Sequence, residues 1–130
     1  IKILSTKEVK GKQKVVEEKL PMCIKMKNDK PFMFAGLFSV WKNSKDEEFP
    51  SFTIITTEPN ELMSQIHNRM PVILEQQHFE KWLDRTYNDT KELKKLLVPF
   101  PSKEMKAYKV SQVVNSSRNE TPECIIPIEE

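Results

Sequence analysis

The eleven-residue run "PFMFAGLFSVW" (31–41) constrains the fold more than any other feature of the chain. It is almost entirely apolar, which is typical of a strand buried on both faces. Gly36 lies inside the run and predicts a bulge or the close approach of another backbone. The run "SFTIITT" (51–57) is rich in β-branched residues and predicts another strand. A chain with these runs is expected to build its core around a sheet.

Short strands and short helices are predicted for the rest of the chain. "PMCIKMK" (21–27) alternates apolar with other residues, as a half-buried strand does. Pro59 suits a first helical turn, and Asp89 with Glu92 suits the start of another helix. The pattern predicts further strands at 71–76 and 107–114 and helices over 59–66, 75–84 and 89–98. Residues 7–20 are polar, with a loop at Gly11, and Pro122 and Pro127 exclude a regular C-terminal element.

Strands therefore outnumber short helices, without the regular alternation of a parallel α/β fold. This order predicts an α+β fold around a compact, barrel-like sheet. The length of 130 residues suits one domain. Two glycines are too few for a glycine-rich phosphate loop.

The charge is uneven along the chain. Residues 1–30 hold nine lysines against four acidic residues, a net of +5, and the remainder holds 12 basic and 15 acidic residues, a net of −3. A lysine-rich end can attract phosphate, but it can equally be a solvated tail or hairpin. Composition alone does not establish nucleic-acid binding.

The two cysteines, Cys23 and Cys124, are predicted to be reduced thiols rather than a disulfide framework. Neither belongs to a CxxC pair, and the two histidines are widely separated, so we expect no zinc site and no cofactor. No apolar run approaches the ~18 residues of a membrane span. A membrane partner is therefore not expected.

His67 lies in a polar break between two apolar runs. It follows a short helix signal and precedes Asn68, Arg69 and a Met-Pro pair. Such a histidine can cap the helix or satisfy a buried carbonyl, or it can exchange protons at a functional site. The residues of this stretch leave both interpretations open.

Four blocks of the chain resemble consecutive blocks of the SOS response-associated peptidase (SRAP) family. They are "FMFAGLFSVW", "TIITTEPNELMSQIHNRMPVIL", "WLD" and "YKVSQVVNSSRNETPECI", in order and in register over roughly residues 19–128. The resemblance implies a closed, strand-rich core with flanking helices, incomplete here at its N-terminus. It divides the chain into a divergent, lysine-rich segment (1–18) and the C-terminal part of one SRAP domain (19–130).

The resemblance also implies a function in the DNA-damage (SOS) response. Members bind single-stranded DNA, link themselves covalently to abasic sites, and remove their own initiator residue by autoproteolysis. The ring-opened abasic sugar is an aldehyde, and the α-amine and thiol of an N-terminal cysteine condense with it into a thiazolidine ring. These steps need proton transfers near neutral pH, which suit histidine.

Site residues follow from the resemblance position by position. His67 matches the family's acid–base histidine, and Thr56 matches a threonine that borders the DNA cleft. Arg69, Asn115 and Arg118 are candidates for phosphate contact or for holding the loop. These residues also have structural alternatives. Thr56 can be an ordinary strand residue, Arg69 can pair with a core carboxylate, and Arg118 can stabilise the C-terminal turns.

The sequence departs from the family at the nucleophile. The chain begins with Ile1, and Cys23 and Cys124 have no free α-amine, so this chain alone is expected to lack the cysteine nucleophile and to be inactive. Glu8 lies near the position of a family glutamate that assists catalysis, although Val9 replaces the tryptophan that follows that glutamate.

Three hypotheses follow from these departures. The chain is part of an active crosslinking protein, a non-catalytic single-strand-binding remnant, or an inactive folding fragment. The expected partners are single-stranded DNA with abasic sites and another chain or segment that supplies the missing strands. The expected location is the bacterial cytoplasm, with the nucleoid, or the eukaryotic nucleus.

Overall fold

The structure, a computed structural model, describes residues 2–9 and 12–128. Ten strands and three short α-helices follow one another within these residues. The strands are β1 (Lys2–Val9), β2 (Lys12–Lys19), β3 (Met22–Met26), β4 (Met33–Phe34), β5 (Gly36–Lys42), β6 (Glu48–Ile54), β7 (Thr56–Thr57), β8 (Met70–Pro71), β9 (Ile73–Leu74) and β10 (Met105–Lys109). The helices are α1 (Glu61–Ser64), α2 (Phe79–Leu83) and α3 (Thr90–Lys94).

The predicted α+β class, rich in strands and with short flanking helices, is confirmed. The strands pair antiparallel in five ladders, namely β1–β2, β3–β10, β4–β9, β5–β6 and β7–β8. Within the described residues these ladders do not close into a barrel. The polar segment before β3, predicted to be a tail or a hairpin, forms the β1–β2 hairpin.

Three strand breaks meet at one point in the fold, the three-strand junction formed by Ala35, Ile55 and Val72. The Ala35 N–H donates to the Val72 carbonyl (2.8 Å), the Val72 N–H donates to Ile55 (2.9 Å), and the Ile55 N–H donates to Ala35 (2.9 Å). Each segment changes its pairing partner here, so the continuous strands predicted over 31–41, 51–57 and 71–76 are each interrupted. The closed ring of bonds satisfies the backbone groups that the breaks release.

The core has two parts, one of which contains the junction residues Ala35 and Val72. One is rich in methionine and contains Met26, Met63, Met70, Ile73 and Met105. The other contains Ala35, Val72 and Leu74, against which side chains from α2 and the turn after α3 pack. Ala35 and Val72 are fully buried. Two of the three junction residues are therefore fully buried, and Ile55 is half-buried.

The apolar run 31–41 is not buried as predicted. Its β5 part pairs with β6 alone among the described strands, and we call this ladder the apolar hairpin (36–54). Phe38 and Phe52 are cross-strand neighbours that are 71% and 79% exposed, and Trp41 is 61% exposed. The prediction fails because an apolar run indicates that a strand can be covered, but not that the covering element is present.

The predicted close approach at Gly36 is confirmed. A Cβ atom placed there would lie 3.0 Å from the Thr53 carbonyl oxygen, tighter than ordinary van der Waals contact. The Gly36 carbonyl also accepts a hydrogen bond from the indole N–H of Trp82 (3.2 Å). These contacts fix the base of the apolar hairpin against α2.

Helix starts and the C-terminal segment differ in detail from the predictions. α1 begins after Asn60 rather than at Pro59, because the Asn60 side chain accepts the Met63 N–H at 2.9 Å as an N-cap. Asp89 caps α3 as predicted, but α3 ends at Lys94 and not at the predicted residue 98.

The C-terminal strand is also shorter than the predicted range 107–114 at its end. β10 ends at Lys109 and is followed by 3₁₀ turns over 112–115 and 122–125. A proline tolerated in a first helical turn explains the second of these turns.

An ion-pair cluster joins the β3–β10 ladder to the turn after β3. Lys25 and Lys106 are cross-strand neighbours, and the carboxylate of Asp29 lies 3.0 Å and 2.9 Å from their ammonium groups. Asp29 also holds a left-handed backbone conformation, with φ of 59°. Hydrogen bonds from Lys106 and then Lys25 lower the pKa of the Asp29 carboxyl.

Asp29→Asn is expected to flatten the loss of stability in acid. Because the folded pKa is lowered, the ionised carboxylate stabilises the fold above the unfolded pKa of about 3.9, and this contribution is lost as pH falls through the lower folded pKa. Because the ion pairs of Asp29 with Lys25 and Lys106 are exposed, the Tm of Asp29→Asn at neutral pH should be lower than that of the unmodified chain by on the order of 1 °C. Thermal melts between pH 2 and pH 7 measure it.

Asp46→Asn is the matched control, because Asp46 has the same left-handed backbone (φ 60°) but no ion pair within the described residues. An equal change in the acid slope for both variants would contradict the role of the Asp29 carboxylate.

Candidate functional site

The candidate site is built at the end of α1. Asn60 ties this helix to the rest of the fold, because its side-chain amide donates to the Phe100 carbonyl at 2.6 Å while its oxygen caps the helix. Met63 anchors the opposite side in the methionine-rich core. The N–H groups of Ile66 and His67 both donate to the Met63 carbonyl at 2.8 Å, so the chain turns sharply there. His67 thus follows a helix end that is fixed on two sides.

The His67 ring is exposed and is oriented by the backbone two residues later. Its Nδ1 atom lies 3.1 Å from the Arg69 N–H and 3.1 Å from the Arg69 carbonyl oxygen. The N–H can donate to an unprotonated Nδ1, and the carbonyl can accept from a protonated one. Nδ1 therefore has a partner in either protonation state, which leaves Nε2 to exchange a proton with a bound molecule.

Arg69 lies between His67 and Thr56 and contacts both. Its Nε and Nη2 atoms donate to the Thr56 hydroxyl oxygen at 3.0 Å and 2.8 Å, and Nη2 also donates to the Thr56 carbonyl at 2.8 Å. The β7–β8 ladder makes this contact possible, since it places Thr56 opposite Pro71. We call Thr56, His67 and Arg69 the His67 cluster.

The His67 cluster combines an exposed cation with an exposed proton carrier. Among the side chains that the structure describes, no carboxylate forms an ion pair with Arg69, and the alternative of a core ion pair for Arg69 finds no partner there. An exposed guanidinium beside an imidazole suits a phosphate-bearing ligand that undergoes proton transfer. No group of three His, Cys, Asp or Glu side chains in the described part of the chain could hold a metal ion.

Comparison with known proteins gives this cluster its context. The family model for the SOS response associated peptidase (SRAP) matches residues 8–117. The chain belongs to the SRAP family. Within it, the chain is 46% identical over 107 residues to the abasic site processing protein YoqW of Bacillus subtilis, covering 82% of this chain and 48% of YoqW. It is 44% identical over 97 residues to the abasic site processing protein HMCES of Gallus gallus, covering 73% of this chain and 28% of HMCES.

The fold also resembles a solved structure, and again the likeness covers only part of the longer protein. A protein from Bacteroides thetaiotaomicron superposes with a TM-score of 0.72 and 27% identity, over 98% of this chain and 54% of that one. The chain therefore spans about half the length of YoqW and of the Bacteroides protein. The SRAP match begins at Glu8, ahead of the blocks that carry the resemblance in the sequence.

The other predicted SRAP site residues lie elsewhere. Asn115 ends a 3₁₀ turn and Arg118 follows it, with the Arg118 N–H donating to the Ser116 hydroxyl at 3.4 Å. Across the described residues, no hydrogen bond or ion pair joins their side chains to the His67 cluster. Glu8 lies in β1 opposite Gln13, and its side chain is outside the described residues. The roles of these three residues stay predictions.

Both cysteines are half-buried and lie inside structural elements. Cys23 lies in β3 opposite Tyr108, and a hydrogen bond with the Cys23 thiol raises the pKa of the Tyr108 phenol. Cys124 lies in the last 3₁₀ turn, where its thiol contacts the Asn119 carbonyl at 3.5 Å. Their α-nitrogens are in peptide bonds, so neither can present an amine and a thiol together.

Asn60 is the positioning residue that the sequence interpretation missed. An asparagine directly before an acidic first turn is an N-cap signal, whereas Pro59 alone predicts a helix start one residue earlier. The contact between Arg69 and Thr56, thirteen residues apart, had no signal in the sequence because it depends on the β7–β8 pairing.

His67→Ala is expected to lower the free energy of unfolding by less than about 1 kcal/mol, because the exposed ring contributes only its Nδ1 hydrogen bond to the fold. Urea denaturation measures the change. Met63→Ala is the control in the same turn, and it is expected to cost about 2–5 kcal/mol because Met63 is buried. A loss of several kcal/mol for His67→Ala would indicate a structural histidine instead.

Proposed function

We propose that this chain supplies the proton-transfer and DNA-contacting part of a protein that crosslinks itself to abasic sites in single-stranded DNA. The observation that carries the proposal is the His67 cluster, in which an exposed imidazole and an exposed guanidinium share one short turn. SRAP membership and the names of YoqW and HMCES, both abasic site processing proteins, support the proposal.

The proposed reaction is a condensation that releases one water molecule. The aldehyde carbon of the ring-opened sugar is attacked by the α-amine of an N-terminal cysteine, and loss of water gives an imine. The cysteine sulfur then adds to the imine carbon while its proton passes to the nitrogen, which closes the thiazolidine ring. His67 carries protons in the opening of the sugar and in the loss of water. Arg69 holds a neighbouring phosphate.

The cysteine nucleophile in this proposal lies outside residues 2–128. Cys23 and Cys124 are held within β3 and the last 3₁₀ turn. The same cysteine would become available when the whole protein removes its initiator residue, with Glu8 a candidate for assisting catalysis. Without that cysteine, the second candidate function is single-strand binding with no covalent step, which the exposed Arg69 alone could support.

YoqW and the Bacteroides protein are each longer than this chain, and about half of each has no counterpart here. We further propose that a segment corresponding to this other half covers the apolar hairpin. Leu37, Phe38, Trp41 and Phe52 are each more than half exposed. A groove of about 320 Å³ at the base of the hairpin is lined by Phe34, Phe79, Trp82 and other apolar side chains. Exposed apolar area on this scale marks an interaction surface. YoqW and the Bacteroides structure each have about half their length available to cover it.

Binding to single-stranded DNA tests the DNA-contacting part of the proposal. The logarithm of the binding constant is expected to fall linearly with the logarithm of salt concentration, by roughly 0.7 per neutralised phosphate. Arg69→Gln should reduce this slope by about that amount, because it removes the charge at the His67 cluster. Fluorescence anisotropy between 50 and 300 mM salt, on an unstructured oligonucleotide, measures the slope.

Arg85→Gln is the matched control, since Arg85 is an exposed arginine in the turn after α2 and is not part of the His67 cluster. Its slope should equal that of the unmodified chain. Binding that does not depend on salt, or that favours duplex over single strands, would count against the proposed DNA surface.

A further inference from the structure

The contact between Arg69 and Thr56 does more than hold two strands together. A threonine hydroxyl has two acceptor lone pairs and one hydrogen. Two guanidinium nitrogens of Arg69 donate to the Thr56 oxygen, at 3.0 Å and 2.8 Å. Both acceptor positions are therefore filled from the arginine side, and the hydroxyl hydrogen must point away from it.

We propose that Arg69 is a positioning residue that turns the Thr56 hydroxyl into a fixed hydrogen-bond donor, aimed at an oxygen atom of the lesion sugar. The proposal rests on the function proposed above. A cation that donates to a hydroxyl oxygen also polarises it, which strengthens the hydrogen bond that the hydroxyl itself can give. A neutral hydroxyl with free rotation would donate and accept in turn, and it would discriminate poorly between ligand atoms.

The neighbouring contacts support this geometry. Nη2 of Arg69 donates to the Thr56 carbonyl oxygen as well, at 2.8 Å, so the guanidinium is fixed relative to the residue and not only to its hydroxyl. The same arginine holds the His67 ring through its backbone N–H and carbonyl. One residue thus orients a donor hydroxyl and a proton-carrying imidazole. The substrate atom that suits both is an aldehyde or hydroxyl oxygen, which accepts from Thr56 and gains a proton from His67.

This role differs from a phosphate contact by the same side chain. A phosphate contact needs only positive charge, which lysine retains, whereas filling both lone pairs of Thr56 needs the forked guanidinium. In the described residues Nη1 takes part in neither contact with Thr56. The two roles can coexist, and Arg69→Lys separates them.

The first experiment uses the 130-residue chain and needs no activity. Three-bond ¹³C couplings to the Thr56 methyl report whether the side chain holds one rotamer. We expect one rotamer in the unmodified chain and rotamer averaging in Arg69→Lys, with no change in the couplings of Thr90, which lies in α3. Averaged couplings in the unmodified chain would overturn the proposal.

The second experiment measures adduct formation after the chain is paired with the unmatched part of YoqW, prepared with a cysteine as its first residue. Arg69→Lys is expected to lower the rate at saturating DNA about tenfold with little change in the half-saturating concentration. Thr56→Val should lower this rate about 100- to 1,000-fold, as expected for the loss of one preorganised donor. Thr56→Ser, which keeps the hydroxyl, should retain most of the rate.

The double variant Arg69→Lys with Thr56→Val is decisive. If Arg69 acts through Thr56, the double variant should be no slower than Thr56→Val alone. Additive losses, or an effect of Arg69→Lys on half-saturation only, would overturn the positioning role and leave a phosphate contact. If no pairing forms an adduct, the proposed function fails, and the coupling experiment still decides whether Arg69 fixes Thr56.

Discussion

No heat-stable adduct is the expected result when the 130-residue chain alone is incubated with single-stranded DNA that carries an abasic site. Lysine amines can form an imine with the aldehyde, and borohydride should trap it. Without a thiol on the carbon next to the amine, however, no thiazolidine ring can close, and the imine should hydrolyse or cleave the strand by β-elimination. Denaturing electrophoresis after heating, with and without borohydride, measures both products.

Adding the unmatched part of YoqW as a second polypeptide, prepared with a cysteine as its first residue, is expected to restore a heat-stable adduct. The yield should rise from background to a large fraction of the DNA, because the amine, the thiol and His67 are then in one complex. His67→Ala should slow the reaction by 10²- to 10⁴-fold, the usual contribution of a positioned acid–base group. His78→Ala is the control, since His78 ends a 3₁₀ turn before α2 and lies outside the His67 cluster.

The apolar hairpin supplies a second control for the same pairing. Phe38→Lys with Phe52→Lys should prevent the two polypeptides from associating, as measured by gel filtration, and should abolish the adduct with them. Lys42→Glu changes a residue at the tip of the hairpin, where Lys42 pairs with Glu48 at 3.0 Å. This variant should still associate and still form the adduct. An adduct from the unmodified chain alone would contradict the assignment of the nucleophile and would point to Cys23 or Cys124.

Val72→Asp is expected to cost more than about 4 kcal/mol and to prevent folding at 37 °C. Val72 is fully buried at the three-strand junction, and an aspartate there would leave an unpaired charge among apolar side chains. Circular dichroism and urea denaturation measure the effect. Val72→Ala, which only removes two methyl groups, should cost about 1–3 kcal/mol and remain folded.

Val98→Asp is the matched surface control, because Val98 is 54% exposed. It should change stability by no more than about 0.5 kcal/mol. A folded Val72→Asp variant of near-normal stability would mean that the junction is not the centre of the core.

The sequence predicted the elements whose signals are local. The alternation over Met22–Met26 predicted β3, and Asp89 predicted the start of α3, since each signal depends on neighbouring residues only. The α+β class followed from the order of these elements. The sequence also predicted that His67 follows a short helix, because the helix signal and the polar break lie in the same stretch of residues.

The remaining features depend on pairings between distant segments. The breaks at Ala35, Ile55 and Val72 arise from bonds between three segments that no single segment encodes. The exposure of Phe38 depends on which other elements cover the hairpin, which its apolar sequence does not specify. The contact of Arg69 with Thr56 depends on the register of β7 and β8.

The three-strand junction also limits how the length of the chain can vary between relatives. A residue inserted at the hairpin tip (43–47) would lengthen one turn and leave the ladders in place. An insertion or deletion beside Ala35, Ile55 or Val72 would shift the register of more than one ladder at once and turn side chains to the wrong face. We therefore expect insertions to accumulate at the tip of the hairpin, while the spacing between the three strand breaks and the His67 turn stays fixed.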